Sequence, residues 1–206
     1  METPDASEVQ IAAEQGLQKL IAGNQRFMRG QAKFPTVCKE TLAGLAGEQK
    51  PFATILGCSD SRVPPELIFD ANFGELFIVR VAGNVISPEV MGSLQYAGAH
   101  LLTPLFVVLG HAGCGAVKAA LEYKLNGIQL RSRIQILVNN ILPGLPEFDA
   151  QSSQEERLAS AIEANVRWSM HQLLETPEGQ NGGLKMGVKL VGAVYDITTG
   201  QVRFLA

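Results

Sequence analysis

Apolar positions along this chain follow two different periods. Over residues 7–30, Val9, Ala12, Ala13, Leu17, Leu20, Ile21 and Phe27 recur at helical spacing, which predicts one long amphipathic helix ahead of any strand. A shorter helix is expected at Thr41–Leu45. The pattern then changes to short apolar runs bounded by turn residues: "FATILG" (52–57), "ELFIVRVAG" (75–83), "PLFVVLGH" (104–111) and "GVKLVGAVYDI" (187–197). These read as strands, and helical stretches lie between them. "PPELIF" (64–69) is one, and "SPEVMGSLQYAGAHLL" (87–102) is a stronger one. In the latter Ser87 can cap, Pro88 suits the first turn, and Glu89 favours the positive end of the helix.

Residues 113–175 are mostly helical in pattern. "LPGLPEFDA" (142–150) interrupts them, and Ser152 or Ser153 restarts the helix, with Glu155 or Glu156 at the capping-box position. "TPEGQNGGLKMG" (176–187) is a loop. "DITTGQVRFL" (196–205) places turn residues between two strand-like pieces, the mark of a hairpin.

Strands alternating with helices predict an α/β fold: a mainly parallel central sheet of about four strands, an antiparallel C-terminal edge strand, and helices on both faces. With no internal repeat and no low-complexity linker, residues 1–206 are expected to form a single domain. Residues 1–35 would be an N-terminal helical arm, placed to pack on a partner subunit or on its own domain.

Composition narrows the classes. A net charge of -3 with dispersed Lys and Arg carries no electrostatic footprint for nucleic acid. No apolar run approaches the roughly 20 residues of a membrane span. The first residues are acidic and polar, unlike a secretory signal. Three cysteines, Cys38, Cys58 and Cys114, do not make a disulfide framework, so a reducing, cytoplasmic setting is expected.

The cysteines also bring in chemistry. In an open parallel sheet, reactive groups gather beyond the carboxyl ends of the strands. Cys58 follows the first strand in "CSDSR", and His111 ends the third, with Cys114 in the turn "HAGCG". If those strands are neighbours, two thiolates and an imidazole surround one point and leave a fourth tetrahedral position open, the pattern of catalytic zinc. Gly110, Gly113 and Gly115 permit the tight turn, and Gly115 leaves its N–H uncovered. Arg62 can grip Asp60 bidentately and keep it ionised beside the metal.

Other readings of the same residues stand beside this one. Cys58 can be a small core residue, or a nucleophile with His111 as base, which leaves Cys114 and Asp60 idle. "GHAGCGAVK" (110–118) lacks the spacing of a phosphate-binding loop. His100 and His171 sit in helical patterns without partner motifs and read as structural or surface residues.

With "CSDSR" and "HAGCG" in this order, the chain resembles the β-class carbonic anhydrases. "LIAGNQRF" (20–27), "RVAGN" (80–84), "SLQYA" (93–97) and "GAVYDITTGQV" (192–202) extend the resemblance over nearly the whole chain. It implies one zinc ion per chain on Cys58, His111 and Cys114, with Asp60 and Arg62 as the catalytic dyad. Gln49 would bond the substrate, Phe77, Ala82 and Tyr96 would line its pocket, and Gly115 would offer its N–H. The implied activity is reversible hydration of carbon dioxide to bicarbonate and a proton, by attack of a zinc-bound hydroxide. The implied assembly is a homodimer or higher even oligomer, with pockets built from two chains. Two alternatives keep the zinc: a hydrolase of carbonyl sulfide or carbon disulfide, and a non-catalytic zinc scaffold. One departure is informative. A subset of the family uses a tryptophan three residues before the first cysteine ligand to bind inhibitory bicarbonate, and Ile55 stands there.

Overall fold

A computed structural model describes residues 5–33, 39–176, 179 and 187–205; Cys38 and most of the 176–187 loop lie outside these. Among the described residues five strands form one sheet: β1 (Ala53–Gly57), β2 (Leu76–Arg80), β3 (Leu105–His111), β4 (Lys189–Tyr195) and β5 (Val202–Phe204). The spatial order is β2-β1-β3-β4-β5. The first four strands pair in parallel and only β4–β5 is antiparallel, as the hairpin signal predicts. Every residue of β1 is buried, which explains why it reads as a continuous apolar run rather than an alternating one.

Seven α-helices among the described residues accompany the sheet: α1 (Ala6–Met28), α2 (Lys39–Leu45), α3 (Pro65–Ile68), α4 (Pro88–Ala99), α5 (Gly115–Asn126), α6 (Ile134–Ile141) and α7 (Gln154–Leu174). Their starts follow local chemistry. Ser87 accepts the N–H of Val90 ahead of α4. For α7 the structure selects Ser153 and Glu156, whose side chains and backbones bond reciprocally in a capping box.

α1 and α3 cover one face of the sheet. Ala13 and Leu20 pack with Ile55, Val107 and Leu109 on this side. α4 and α7 cover the other face, through Val90, Leu94 and Val166 against Leu56 and Val108. α5, α6 and the first half of α7 gather at the carboxyl end of β1 and β3 in a third apolar cluster, which contains Cys58 and Cys114.

The N-terminal helix is tied to its own chain. Fully enclosed Asn24 donates to the carbonyls of Ile68 and Gly200 at 3.2 and 2.8 Å and accepts the N–H of Val202 at 2.9 Å. Arg26 pairs with buried Asp70, which also accepts the Lys33 N–H at 2.8 Å. The inner face of the arm is thus occupied by this chain's sheet. Only the outer face, carrying exposed Ile11 and Met28, is open to another molecule.

Candidate metal centre

The strand order changes direction between β1 and β3: β1 is followed in the chain by its neighbour on one side, and β3 lies on the other. A crevice opens at such a switch point, beyond the carboxyl ends of the strands. Cys58 leaves β1 there, His111 is the last residue of β3, and Cys114 caps the start of α5. The turn between His111 and Cys114 is made at Gly113, with φ of 67°.

Cys58, His111 and Cys114 are all buried, and their sulfur and ring nitrogen atoms lie within 4.8 Å of one another. The two sulfurs are 4.0 Å apart and unbridged. Two thiolates on a tetrahedral zinc at 2.3 Å bonds would be separated by about 3.8 Å. His111 Nδ1 bonds the carbonyl of Ala112 at 3.0 Å, which puts the proton on Nδ1 and leaves Nε2 as a lone pair. That Nε2 is buried and has no hydrogen-bond partner among the described residues. An enclosed acceptor without a donor, facing two thiols, is what a soft-ligand cation would satisfy, so the residues present fit zinc.

The electrostatics agree. The Cys58 thiol is lowered to about 4, chiefly by its hydrogen bond with Cys114, with His111 and the N–H groups of Gly83 and Asp60 adding and burial opposing. Cys114 is pushed up, by the same contact with Cys58 and by burial. Two anions this close oppose each other, so without a cation the pair keeps one proton. A dication removes the conflict and lets both thiols ionise. The Ala116 and Val117 amides at the start of α5 also point at the Cys114 sulfur.

Asp60 lies alongside, its Oδ2 4.0 Å from His111 Nε2. Arg62 holds it with three bonds: the backbone N–H and Nε to Oδ1, both at 3.0 Å, and Nη2 to Oδ2 at 2.8 Å. These bonds, the guanidinium ones first, keep the Asp60 carboxyl well below the usual carboxylate range. An arginine that the sequence reading left without a role stabilises the loop itself: Arg80, at the end of β2, donates to the carbonyls of Cys58 and Asp60 at 2.9 and 2.5 Å. Its place in "RVAGN" was visible, but its target depends on β1 pairing with β2.

The remaining site residues are distributed differently. The rings of Phe77 on β2 and Tyr96 on α4 are tilted against each other with centroids 6.2 Å apart, and His100 lies against Tyr96, also tilted, at 5.1 Å. His171 stacks on Trp168, away from the cluster. Ala82 is half-buried in the 3-10 turn Ala82–Asn84 beside Cys58, and Gly115 is exposed at the first turn of α5, where backbone N–H groups lack helical partners. Gln49 is exposed ahead of β1, and no hydrogen bond among the described residues links it to the cluster.

Known proteins are similar to this chain in sequence and fold. Residues 53–202 match the family model described as carbonic anhydrase. Carbonic anhydrase 2 of Mycobacterium tuberculosis is 38% identical over 184 residues, covering 88% of this chain and 87% of that protein. Among solved structures, the β-carbonic anhydrase CafA of Aspergillus fumigatus superposes with a TM-score of 0.71 at 28% identity, over 81% of this chain and 80% of that one. The fold also matches one of two tetrameric β-carbonic anhydrases of Sordaria macrospora, with a TM-score of 0.72 at 24% identity over 93% and 98% of the chains. With the family's sheet, its cysteine–histidine–cysteine cluster and a match over most of its length, the chain belongs to the β-carbonic anhydrases.

Proposed function

We propose that Cys58, His111 and Cys114 hold one zinc ion per chain, and that Asp60 and Arg62 work beside it in the reversible hydration of carbon dioxide to bicarbonate and a proton. The observation that carries this is the orphaned His111 Nε2 facing two thiols, with an arginine-clamped carboxylate 4.0 Å away. Zinc held by these residues would supply Lewis acidity, the chemistry that makes water a nucleophile near neutral pH. Two thiolate ligands temper that acidity, so a mildly alkaline optimum is expected.

The chain's own residues supply the rest. Asp60 cannot swing toward the ligands while Arg62 holds both its oxygens, so it serves as a fixed acceptor that takes a hydrogen bond from the attacking water and aims its lone pair. Phe77, Ala82 and Tyr96 would line an apolar pocket for a small non-polar substrate, with the Phe77–Tyr96 pair brought to the metal centre of a second copy. The Gly115 N–H and the Gln49 amide would hold the oxygens of bicarbonate. A clamped acceptor has no purpose in a closed structural zinc site, which disfavours the scaffold reading. Ile55 stands where the regulated subset uses tryptophan, so no cooperative inhibition by bicarbonate is expected.

The working unit is a homodimer or larger. Among the described residues β2 is an unpaired edge whose residues Leu76–Val79 are apolar and only half-buried, and exposed Phe73 and Tyr96 lie beside it. A bare apolar edge associates unless something covers it. Covering it with a second copy would also bring Gln49, exposed here, into a pocket. No helix among the described residues is long and apolar enough to cross a membrane. The free, unbridged Cys58 and Cys114 suit a reducing cytoplasm.

Stopped-flow hydration of carbon dioxide, run beside a carbonyl sulfide assay and metal analysis, is the test. Carbon dioxide turnover with one zinc per chain is expected. Full zinc with no hydration, or activity on carbonyl sulfide alone, would overturn the reading. Light scattering showing a fully active monomer would remove the assembly.

A further inference from the structure

Cys58 Sγ accepts a hydrogen bond from the Gly83 N–H at 3.3 Å. Gly83 belongs to the 3-10 turn Ala82–Asn84, in which two successive residues adopt left-handed backbone: Gly83 at φ 71° and Asn84 at φ 45°. Left-handed conformations persist only where the surroundings hold them. Here the restraint comes from α7. Asn165 Nδ2 donates to the Gly83 carbonyl at 2.8 Å. One turn further along, Ser169 Oγ donates to the Asn84 carbonyl at 3.0 Å, and Asn84 Nδ2 reaches Ser169 Oγ at 3.5 Å. Asn165 and Ser169 are four residues apart, so they share one helix face.

Asn165 is fully enclosed, between buried Ala161, Ile162 and Val166. A buried amide in apolar surroundings is costly unless its hydrogen bonds are made. Yet among the described residues Asn165 Oδ1 has no partner, and its Nδ2 bonds to one backbone carbonyl, that of Gly83. An apolar residue would fill the space without that cost. The function left for the amide is to fix the peptide that follows the Gly83 N–H.

We propose that Asn165 is a positioning residue of the metal centre. By holding the Gly83 carbonyl it aims the Gly83 N–H at the Cys58 sulfur, which orients that ligand and withdraws electron density from it. The proposal rests on the metal-site reading above. Groups that orient metal ligands typically change metal affinity about 10–100-fold when removed.

The test compares the parent, Asn165→Ala and Met170→Ala, each loaded with cobalt(II) and, separately, titrated with zinc against a competing chelator. Met170 is also on α7 but packs toward Gly192, so its truncation loosens the helix without touching the turn. In Asn165→Ala, zinc affinity should fall about 10-fold. The sulfur-to-cobalt charge-transfer band should move to lower energy, because the sulfur is more electron-rich. Met170→Ala should lose thermal stability and leave the band in place. An unchanged band and affinity in Asn165→Ala, or an equal shift in Met170→Ala, overturns the relay. A parent with no sulfur-to-cobalt band overturns the metal-site reading itself, and the relay with it. Should Asn165→Ala not fold, hydrogen exchange in the zinc-loaded parent decides: a protected Gly83 amide supports the relay, and one exchanging as freely as an exposed amide overturns it.

Discussion

Replacing Gly83 with alanine tests whether the turn beside Cys58 is as constrained as its geometry implies. Two costs can be worked out. The first is backbone: φ is 71°, and a residue with a Cβ pays about 1–2 kcal/mol in this left-handed region. The second is space. An added Cβ would lie 2.9 Å from Ile141 Cδ1 and 3.1 Å from Ala116 Cβ. The Ile141 methyl is the end of a side chain and can give way, whereas the Ala116 Cβ is fixed by the first turn of α5. Overpacking should therefore fall at the lower end of its usual range, about 1 kcal/mol. The sum is about 2–3 kcal/mol, a sizeable share of the roughly 5–15 kcal/mol that holds a protein folded. For a chain of this size the melting temperature should drop by about 5–10 °C. Urea unfolding is the assay, at one fixed protein concentration because assembly makes stability concentration-dependent. Gly92→Ala is the contrast. Gly92 is exposed within α4, its added Cβ meets nothing within 4 Å, and alanine should stabilise that helix by about 0.5–1 kcal/mol. A Gly83→Ala protein within about 0.5 kcal/mol of the parent would refute the reasoning, since that is the scatter of an ordinary surface change.

Cys58→Ser should lose zinc and hydration activity together; a variant with full zinc by metal analysis would remove Cys58 from the ligand set. Asp60→Asn should keep its zinc and lose about 100-fold in kcat/KM, because an amide cannot serve as the same acceptor; parent-like stopped-flow rates would rule out the orienting role. Asp60 also carries a pH signature. Its carboxyl is held down by Arg62, so the pair's contribution is complete above the ordinary carboxyl range near about 4 and fades as pH falls below it. The urea midpoint of the parent should therefore fall more between about pH 5 and pH 3 than that of Asp60→Asn, and parallel curves would contradict the pairing.

What was legible in the sequence was what local chemistry decides. Ser87 and Ser153 are caps because their hydroxyls reach an amide a few residues away, wherever the helix later packs. β1 and β3 are visible as apolar runs because both of their faces are covered, and the turn Asp196–Gln201 is marked by its own residues. Cys58, His111 and Cys114 could be singled out because strand ends are where an open sheet exposes chemistry.

Tertiary structure alone decided the rest, since it turns on which segments meet. That β1 lies beside β3 brings Cys58 to Cys114 across 56 residues of chain, and that it also lies beside β2 delivers Arg80 to the loop of Asp60. Asn165 reaches Gly83 across 82 residues, and Asn24 joins α1 to a hairpin 176 residues away. No spacing or period encodes such pairs. A hydrophobic stripe states that α1 must bury a face, and only packing assigned that face to its own sheet. Which faces meet follows from the shape complementarity of the whole core, a property that no stretch of residues possesses separately.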